Sequence, residues 1–415
     1  MPAGDAESLS FILQLIRSGD AKGRPAIERV SGYGRGLVSE RVGQLLRSGV
    51  VVEGKLGVST GGRAARELEF KANAGIILVC YANLTEAHIG LADLSGRLLE
   101  NSKIRVEFAA GPEKMFAAAE SEWSRLLDLK GLSRSGVWGM GIGLPAHSEF
   151  ATASLIDSPS LPSTWRDYPL RELLSNRFGC PVWLETVDNV LALGELRTGV
   201  ARRIEDFVYL NADLAIGCGI VVGGKVIQGA QGAAGNVGHI FVGGDDSCRC
   251  GRRGCLEAVA CGEALLRAAE RAGRSGESTF FKDRLNVVAT LEISDLAEAL
   301  RNGDSTAQRL VAMSGTYIGQ VLGATINVLN PSLVVAGGCL PQLGPLFLAC
   351  MREAIYRHSL PFVTKDLRIV SVEQTDEIGS RGAAQLVIDQ IFSANCLARW
   401  WPGGRPTPAI HAFGH

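Results

Sequence analysis

The chain reads as an α/β protein of two similar lobes behind an N-terminal winged helix-turn-helix. Three observations lead there. From Asn73 onward, apolar runs of strand length alternate with helical stretches; a comparable set of strands begins again near Asp206; and residues 1–72 place three helical segments before two strand-like runs joined by a glycine-rich loop. A strand set that occurs twice implies two lobes with a cleft between them.

Composition sets the limits. With 415 residues, 46% hydrophobic and 20% charged, the chain can build two or three cores and is not disordered as a whole. Its net charge of −1 gives no global attraction to nucleic acid or anionic lipid, so any such contact has to come from a local patch. No apolar run reaches the length of a membrane span and the amino terminus lacks a signal segment, so a cytoplasmic protein with no membrane partner is expected.

Taken in order, "SLSFILQLIRSG" has the pattern of an amphipathic helix. A short helix from Arg24, a turn at Ser31–Gly34 and a longer helix from Arg35 to Arg47 then form a helix-turn-helix candidate. Leu37, Val38, Val42, Leu45 and Leu46 are expected to face inward. Arg35, Ser39, Glu40, Arg41 and Gln44 are expected outward, where they could reach base edges and phosphates. The next two runs, with Gly61, Gly62 and Arg63 between them, read as the wing; the DNA contacts expected are Arg35, Ser39, Arg41, Gln44 and Arg63. Residues 1–72 carry eleven Lys and Arg against eight Asp and Glu, a modest basic excess. A helical protein-interaction module is the other use such a segment could have.

"AGIILVCYA", "AHIGLADL" and "SGRLLENSKI" read as consecutive strands, followed by a helix over Lys114–Leu129, the strand "GVWGMGIGLP", the helix "PLRELLSNRFG", the strand "PVWLETV" and a helix from Asp188. "DFVYLNADLAIGCGIVVGGKVIQG" opens the second set. A long helical pattern over Ser305–Leu329 and the strand "LVVAGG" follow. The tail 395–415, rich in Pro and Gly, is expected to be disordered.

Ten cysteines in a reducing compartment are thiols or metal ligands rather than disulfides. Cys80, Cys180, Cys218, Cys339 and Cys350 stand singly in apolar runs and behave as small hydrophobes. Cys248, Cys250 and Cys255 instead share a polar loop just after His239. One imidazole and three thiolates fill the four-coordinate shell of a structural Zn2+, leaving no position for a reactive water. The alternative is three surface thiols in a flexible loop.

At "GHIFVGGDDSCRCGRRGCLE" the chain resembles the ROK proteins, sugar kinases and sugar-responsive repressors built on the actin-like ATPase fold. Residues 73 to about 394 resemble their body, and residues 1–72 the winged-helix head of the repressor members. The resemblance implies a first lobe over 73–195, completed by about 376–394, and a second over 196–375 that carries the metal loop. It also implies that His239, Cys248, Cys250 and Cys255 hold structural zinc, and that the chain forms a homodimer or homotetramer.

The same resemblance locates the kinase machinery and finds it altered. Aligned without gaps, the family's Asn-Asp pair falls on Thr186 and Val187. Asp188 stands one residue later, and a one-residue displacement is expected to turn its side chain to another face. The phosphate turns read Tyr81-Ala82-Asn83-Leu84-Thr85 and Asp213-Leu214-Ala215-Ile216-Gly217, the latter with a carboxylate where the family has glycine, while Ala336–Gly338 is retained. A family glutamate of the sugar pocket becomes Asn236, whereas His239 and Glu257 remain. The recognition helix opens Gly34-Arg35-Gly36-Leu37 rather than on Ser and Thr, and Ala64 stands where the wing commonly has proline. The expectation is therefore a DNA-binding regulator of the repressor type without ATP phosphoryl transfer, partnered by double-stranded operator DNA, with Asn236, His239, Glu257 and Asp188 facing a sugar-like effector. An active sugar kinase and a non-catalytic scaffold are the alternatives.

Overall fold

A computed structural model of the chain describes residues 3–56, 66–149, 154–156, 161–373 and 376–411. The head comprises α1 (Ala3–Ser18), α2 (Arg24–Ser31), α3 (Arg35–Ser48) and an antiparallel pair, β1 (Val51–Leu56) and β2 (Arg66–Phe70). Leu9, Ile12, Leu13 and Ile16 recur at helical spacing along α1 and meet Ile27 of α2 and Val38, Val42 and Leu45 of α3 in one buried cluster. Gly32 and Gly49 end α2 and α3 in the left-handed conformation, at φ 71° and 74°, where a side chain would be strained. Arg63, Gly61, Gly62 and Ala64 lie outside the described residues.

The first lobe runs β3 (Ile76–Ala82), β4 (Glu86–Asp93), β5 (Leu98–Arg105), α4 (Pro112–Leu129), β6 (Val137–Leu144), a small hairpin of β7 (Ser148–Glu149) and β8 (Ser154–Leu155), α5 (Leu170–Phe178), β9 (Val182–Thr186) and α6 (Val187–Thr198). Its sheet has the order β5-β4-β3-β6-β9, with β3 to β5 antiparallel and β6 and β9 parallel to β3.

The second lobe repeats the plan with β10 (Phe207–Ala212), β11 (Ile216–Val222), β12 (Lys225–Val226), then α7 (Leu256–Ala260), α8 (Gly262–Ser275), α9 (Thr279–Leu285), α10 (Ile293–Arg301), α11 (Ser305–Leu329), β13 (Leu333–Gly337), α12 (Pro345–His358), α13 (Pro361–Thr364) and β14 (Arg368–Ser371). Its order, β12-β11-β10-β13-β14, again joins an antiparallel meander to two parallel strands. Then come α14 (Asp376–Ile391) and α15 (Ala394–Trp400).

Helices α6 and α14 pack against the sheets from the inside, which explains why the central strands β3, β6 and β10 are buried along their whole length. Along β3, Ile77, Val79 and Tyr81 join the central core with these helices, while Leu78, Cys80 and Ala82 join the cluster built with α4 and α5. The helices touch through glycine: a Cβ on Gly382 would stand 1.9 Å from the Val190 carbonyl oxygen, and one on Gly194 would stand 2.2 Å from that of Ile378.

The tail corrects the expectation of disorder. Helix α15 and short turns over Trp401–Gly403 and Pro408–His411 cover the junction between head and first lobe. The Trp400 indole Nε1 donates to the Ile391 carbonyl at 2.7 Å, and its ring stands edge-on to Trp138 at 5.3 Å between centroids. Across the junction, Ser10 Oγ of α1 donates to the Phe392 carbonyl at 2.6 Å, and the Arg17 guanidinium lies 4.5 Å from the Phe392 ring centroid and 5.5 Å from that of Phe70. Pro and Gly suggested a solvated linker. The apolar area of Leu397, Trp400 and Ile410, all buried in the head-to-lobe core, outweighs them.

Candidate functional site

Three sites arise from this framework. On the head, Arg35 and Ser39 are exposed on the first turns of α3, and Gln44 is half-buried further along. Arg41 departs from its expected place. It is 3% exposed, with Nε donating to Ser8 Oγ at 3.0 Å and the guanidinium paired with Asp5 of α1 and with Glu40. Position 41 is three residues after Val38 and four before Leu45, so it belongs to the inward stripe of α3. Arg41 therefore joins α3 to α1 and is not a surface group for DNA.

The metal loop follows β12. Backbone bonds from Cys248 to the Arg252 carbonyl, 2.8 Å, and from Gly254 to the Asp246 carbonyl, 3.0 Å, fold it into a tight hairpin, while a short 3-10 turn, Val237–His239, brings His239 alongside. The ligating atoms of His239, Cys248, Cys250 and Cys255 all lie within 4.8 Å of one another. Cys250 Sγ is 3.7 Å from Cys255 Sγ, and Cys248 Sγ is 3.4 Å from His239 Nδ1. A tetrahedron with metal–sulfur distances of about 2.3 Å has S···S edges of about 3.8 Å, so this donor set fits a closed four-coordinate metal site.

The third site is the cleft between the lobes, about 380 Å³ in volume. It opens at the carboxyl ends of β3, β6, β9 and β10, where a doubly wound sheet exposes its loops. The four expected ligand residues, Asn236, His239, Glu257 and Asp188, all line it. Asp188 is not turned away: Asn211 Nδ2 of β10 donates to its Oδ1 at 2.8 Å, and Gly217 of β11 has room for no side chain beside it. Burial, with the charges of Glu257 and Asp213 nearby, raises the Asp188 carboxyl to about 6, against the opposing hydrogen bond from Asn211. Val187, at the ungapped base position, is a buried apolar part of the wall.

Side chains occupy backbone donors in the first phosphate turn and just after the retained Gly337-Gly338 turn. Asn83 Oδ1 accepts from the N–H groups of Thr85 and Glu86 at 2.9 and 2.8 Å. Asp213 Oδ1 accepts from the Cys339 N–H at 3.3 Å, beside the retained Gly337-Gly338 turn. A second hollow of about 410 Å³ shares Asn83 and Asp213 with the cleft and runs over Gly338 and Cys339.

Sequence reasoning missed His147, Asn211 and Arg249 in the cleft wall. The first two follow or end core strands, and a polar residue at a strand's carboxyl end is a usable signal. Arg249, between two metal ligands, had none, because only the fold of the loop sends its side chain to the cleft. Burial holds the His147 imidazole below the usual range, against the opposing influence of the Gly232 backbone and the Asn236 side chain.

Among the described residues, no helix is long and apolar enough to cross a membrane. The chain is 27% identical over 384 residues to a xylose repressor of Caldicellulosiruptor bescii, covering 92% of this chain and 96% of the relative. It is 28% identical over 263 residues to a glucokinase of Halalkalibacterium halodurans, covering 62% of this chain and 78% of the enzyme. Among solved structures, a ROK family transcriptional regulator described as a homologue of the Escherichia coli MLC protein superposes with a TM-score of 0.79 at 21% identity, covering 97% of this chain and 100% of that one. The ROK family's sequence model matches residues 85–390, a span that takes in the first lobe from β4 onward, the second lobe and its cysteine loop, and the chain belongs to that family.

Proposed function

We propose that the protein is a DNA-binding transcriptional repressor of the ROK type, in which a winged helix reads an operator and the kinase-like body senses a sugar instead of phosphorylating it. The observation that carries this reading is a winged-helix head packed onto a ROK body whose phosphate turns are filled by Asn83 and Asp213. A polyphosphate would have to displace both side chains and lie against the Asp213 carboxylate. Repressors aligned along nearly the whole chain support the same conclusion. The xylose repressors among these relatives make D-xylose the first effector to try.

Within this reading Arg35 and Ser39, with Gln44 behind them, face the duplex, and Arg63 is a further DNA contact proposed from the sequence alone. Asp188, Asn236, His239 and Glu257 face the effector, with Zn2+ on His239, Cys248, Cys250 and Cys255; when bound, the metal supplies rigidity to the loop and no open coordination position. The chain works as a homodimer, so that two heads address two half-sites. Effector binding changes lobe closure around α6 and α14, and α14 leads directly to Phe392 against α1 of the head.

Selection of the purified protein against a random duplex library, with and without D-xylose, tests the proposal. An enriched inverted repeat, released by the sugar, is expected, with half-sites about one turn apart or a multiple of it. Only salt-sensitive nonspecific retention, or ATP-dependent sugar phosphorylation, would overturn it.

A further inference from the structure

Glu257, in the first turn of α7, is 6% exposed at the base of the cleft, and protein donors occupy both its oxygens. Oε1 accepts from Arg249 Nε at 2.7 Å and Oε2 from the Ile216 N–H at 3.2 Å. Arg249 reaches inward from the metal loop, between Cys248 and Cys250, with its side chain 35% exposed. Among the described residues its terminal nitrogens make no hydrogen bond, and it is the one Lys or Arg lining the cavity, beside the carboxylates of Glu107, Asp188, Asp213, Glu257 and Glu263.

We propose that Arg249 is the specificity-determining residue of the effector cleft: pinned by Glu257, it turns its remaining N–H donors to the oxygens of an uncharged sugar, in a cavity whose carboxylates exclude phosphorylated sugars and nucleotides. The inference rests on the effector-sensing reading above and identifies the ligand class it requires. A guanidinium has five N–H donors and no acceptor; Glu257 takes one, and the others border the cavity. The same cavity is lined by acceptors, the Asp188 carboxyl and Asn211, whose Oδ1 is buried without a partner. The lining therefore carries both donors and acceptors. Hydroxyl groups, which do both, satisfy each kind, whereas a phosphate ester finds one cation among five carboxylates. The opposite role for Arg249, a plug that a sugar must displace to reach Glu257, predicts the opposite effect of its removal.

The test is titration calorimetry of the full-length wild type, Arg249→Ala and Arg249→Lys with D-xylose, D-glucose and D-glucose 6-phosphate, with metal content measured on each protein. The expected result is wild-type binding of an unphosphorylated sugar and not of the phosphate ester, weakened tenfold or more in Arg249→Ala, with Arg249→Lys between them and metal content unchanged. Equal or tighter sugar binding by Arg249→Ala overturns the assignment while leaving the effector reading intact, and so does a wild-type preference for the 6-phosphate. Binding of no sugar by the wild type sinks the effector reading and this inference with it. Should Arg249→Ala lose metal, Arg249→Gln, which keeps a long polar side chain at that position and removes the guanidinium, decides in the same two directions.

Discussion

At Arg41 a guanidinium occupies the apolar stripe of α3, and its partners on α1, Asp5 and Ser8, determine what it does there. Replacing it with alanine removes the donor to Ser8 Oγ, which keeps its own bond to the Asp5 carbonyl, and opens a gap between two helices of the head. A loss of about 1 to 3 kcal/mol in head stability is expected, lower in that range because Asp5 is partly solvated. Arg35→Ala has a different signature: unchanged head stability, uniformly weaker DNA binding and a salt dependence shallower by about one unit. Hydrogen exchange of α1 to α3 beside DNA titrations at two salt concentrations separates the two roles. Equal stability of wild type and Arg41→Ala would show that the buried pair contributes nothing. The periodicity that buries Arg41 is already in the sequence, since 38, 41, 42 and 45 share a face, although a charge at such a position suggests solvent.

Among the elements, α15 has the consequence hardest to foresee. It lies against α1, and Trp400 fills the space between Trp138 and Phe392. Ending the chain at Phe392 would expose these rings and the outer face of α1. Deletion of 393–415 is therefore expected to raise hydrogen exchange across the head and speed tryptic cleavage at Lys71, while metal content and exchange in the second lobe stay as in the wild type. Unchanged protection of α1 would mean that the head holds to the body without the tail. The metal loop, by contrast, was legible: its four ligands sit within one short stretch, so little beyond local chain geometry is needed to bring them together.

For the whole molecule, the contact of Asp188 on α6 with Asn211 on β10 joins the first lobe to the second at the cleft. With its folded-state value raised to about 6 from 3.8, the Asp188 carboxyl contributes stability that is fully present below about pH 4 and lost as pH rises through 6. A shift of two units corresponds to an upper bound of about 3 kcal/mol, and the open side of the cleft reduces it to about 1 to 2. Asp188→Asn keeps an acceptor for Asn211 and removes the charge. It should melt later than the wild type at pH 7.5 and together with it at pH 4; the same difference at both values would rule out ionisation as the cause.

The sequence alone determined the architecture, because a strand buried on both faces is written almost wholly in apolar residues, as β3, β6 and, up to Asn211 near its end, β10 are. It located the cluster of His239, Cys248, Cys250 and Cys255 and the altered phosphate turns, which are local in the chain. Tertiary structure decided the rest: that Arg41 meets α1, that Trp400 seals head to body, that Asp188 turns into the cleft, and that Arg249 reaches Glu257. Each of these depends on partners brought together only by packing, and a side chain's role follows from the charge and space it meets there.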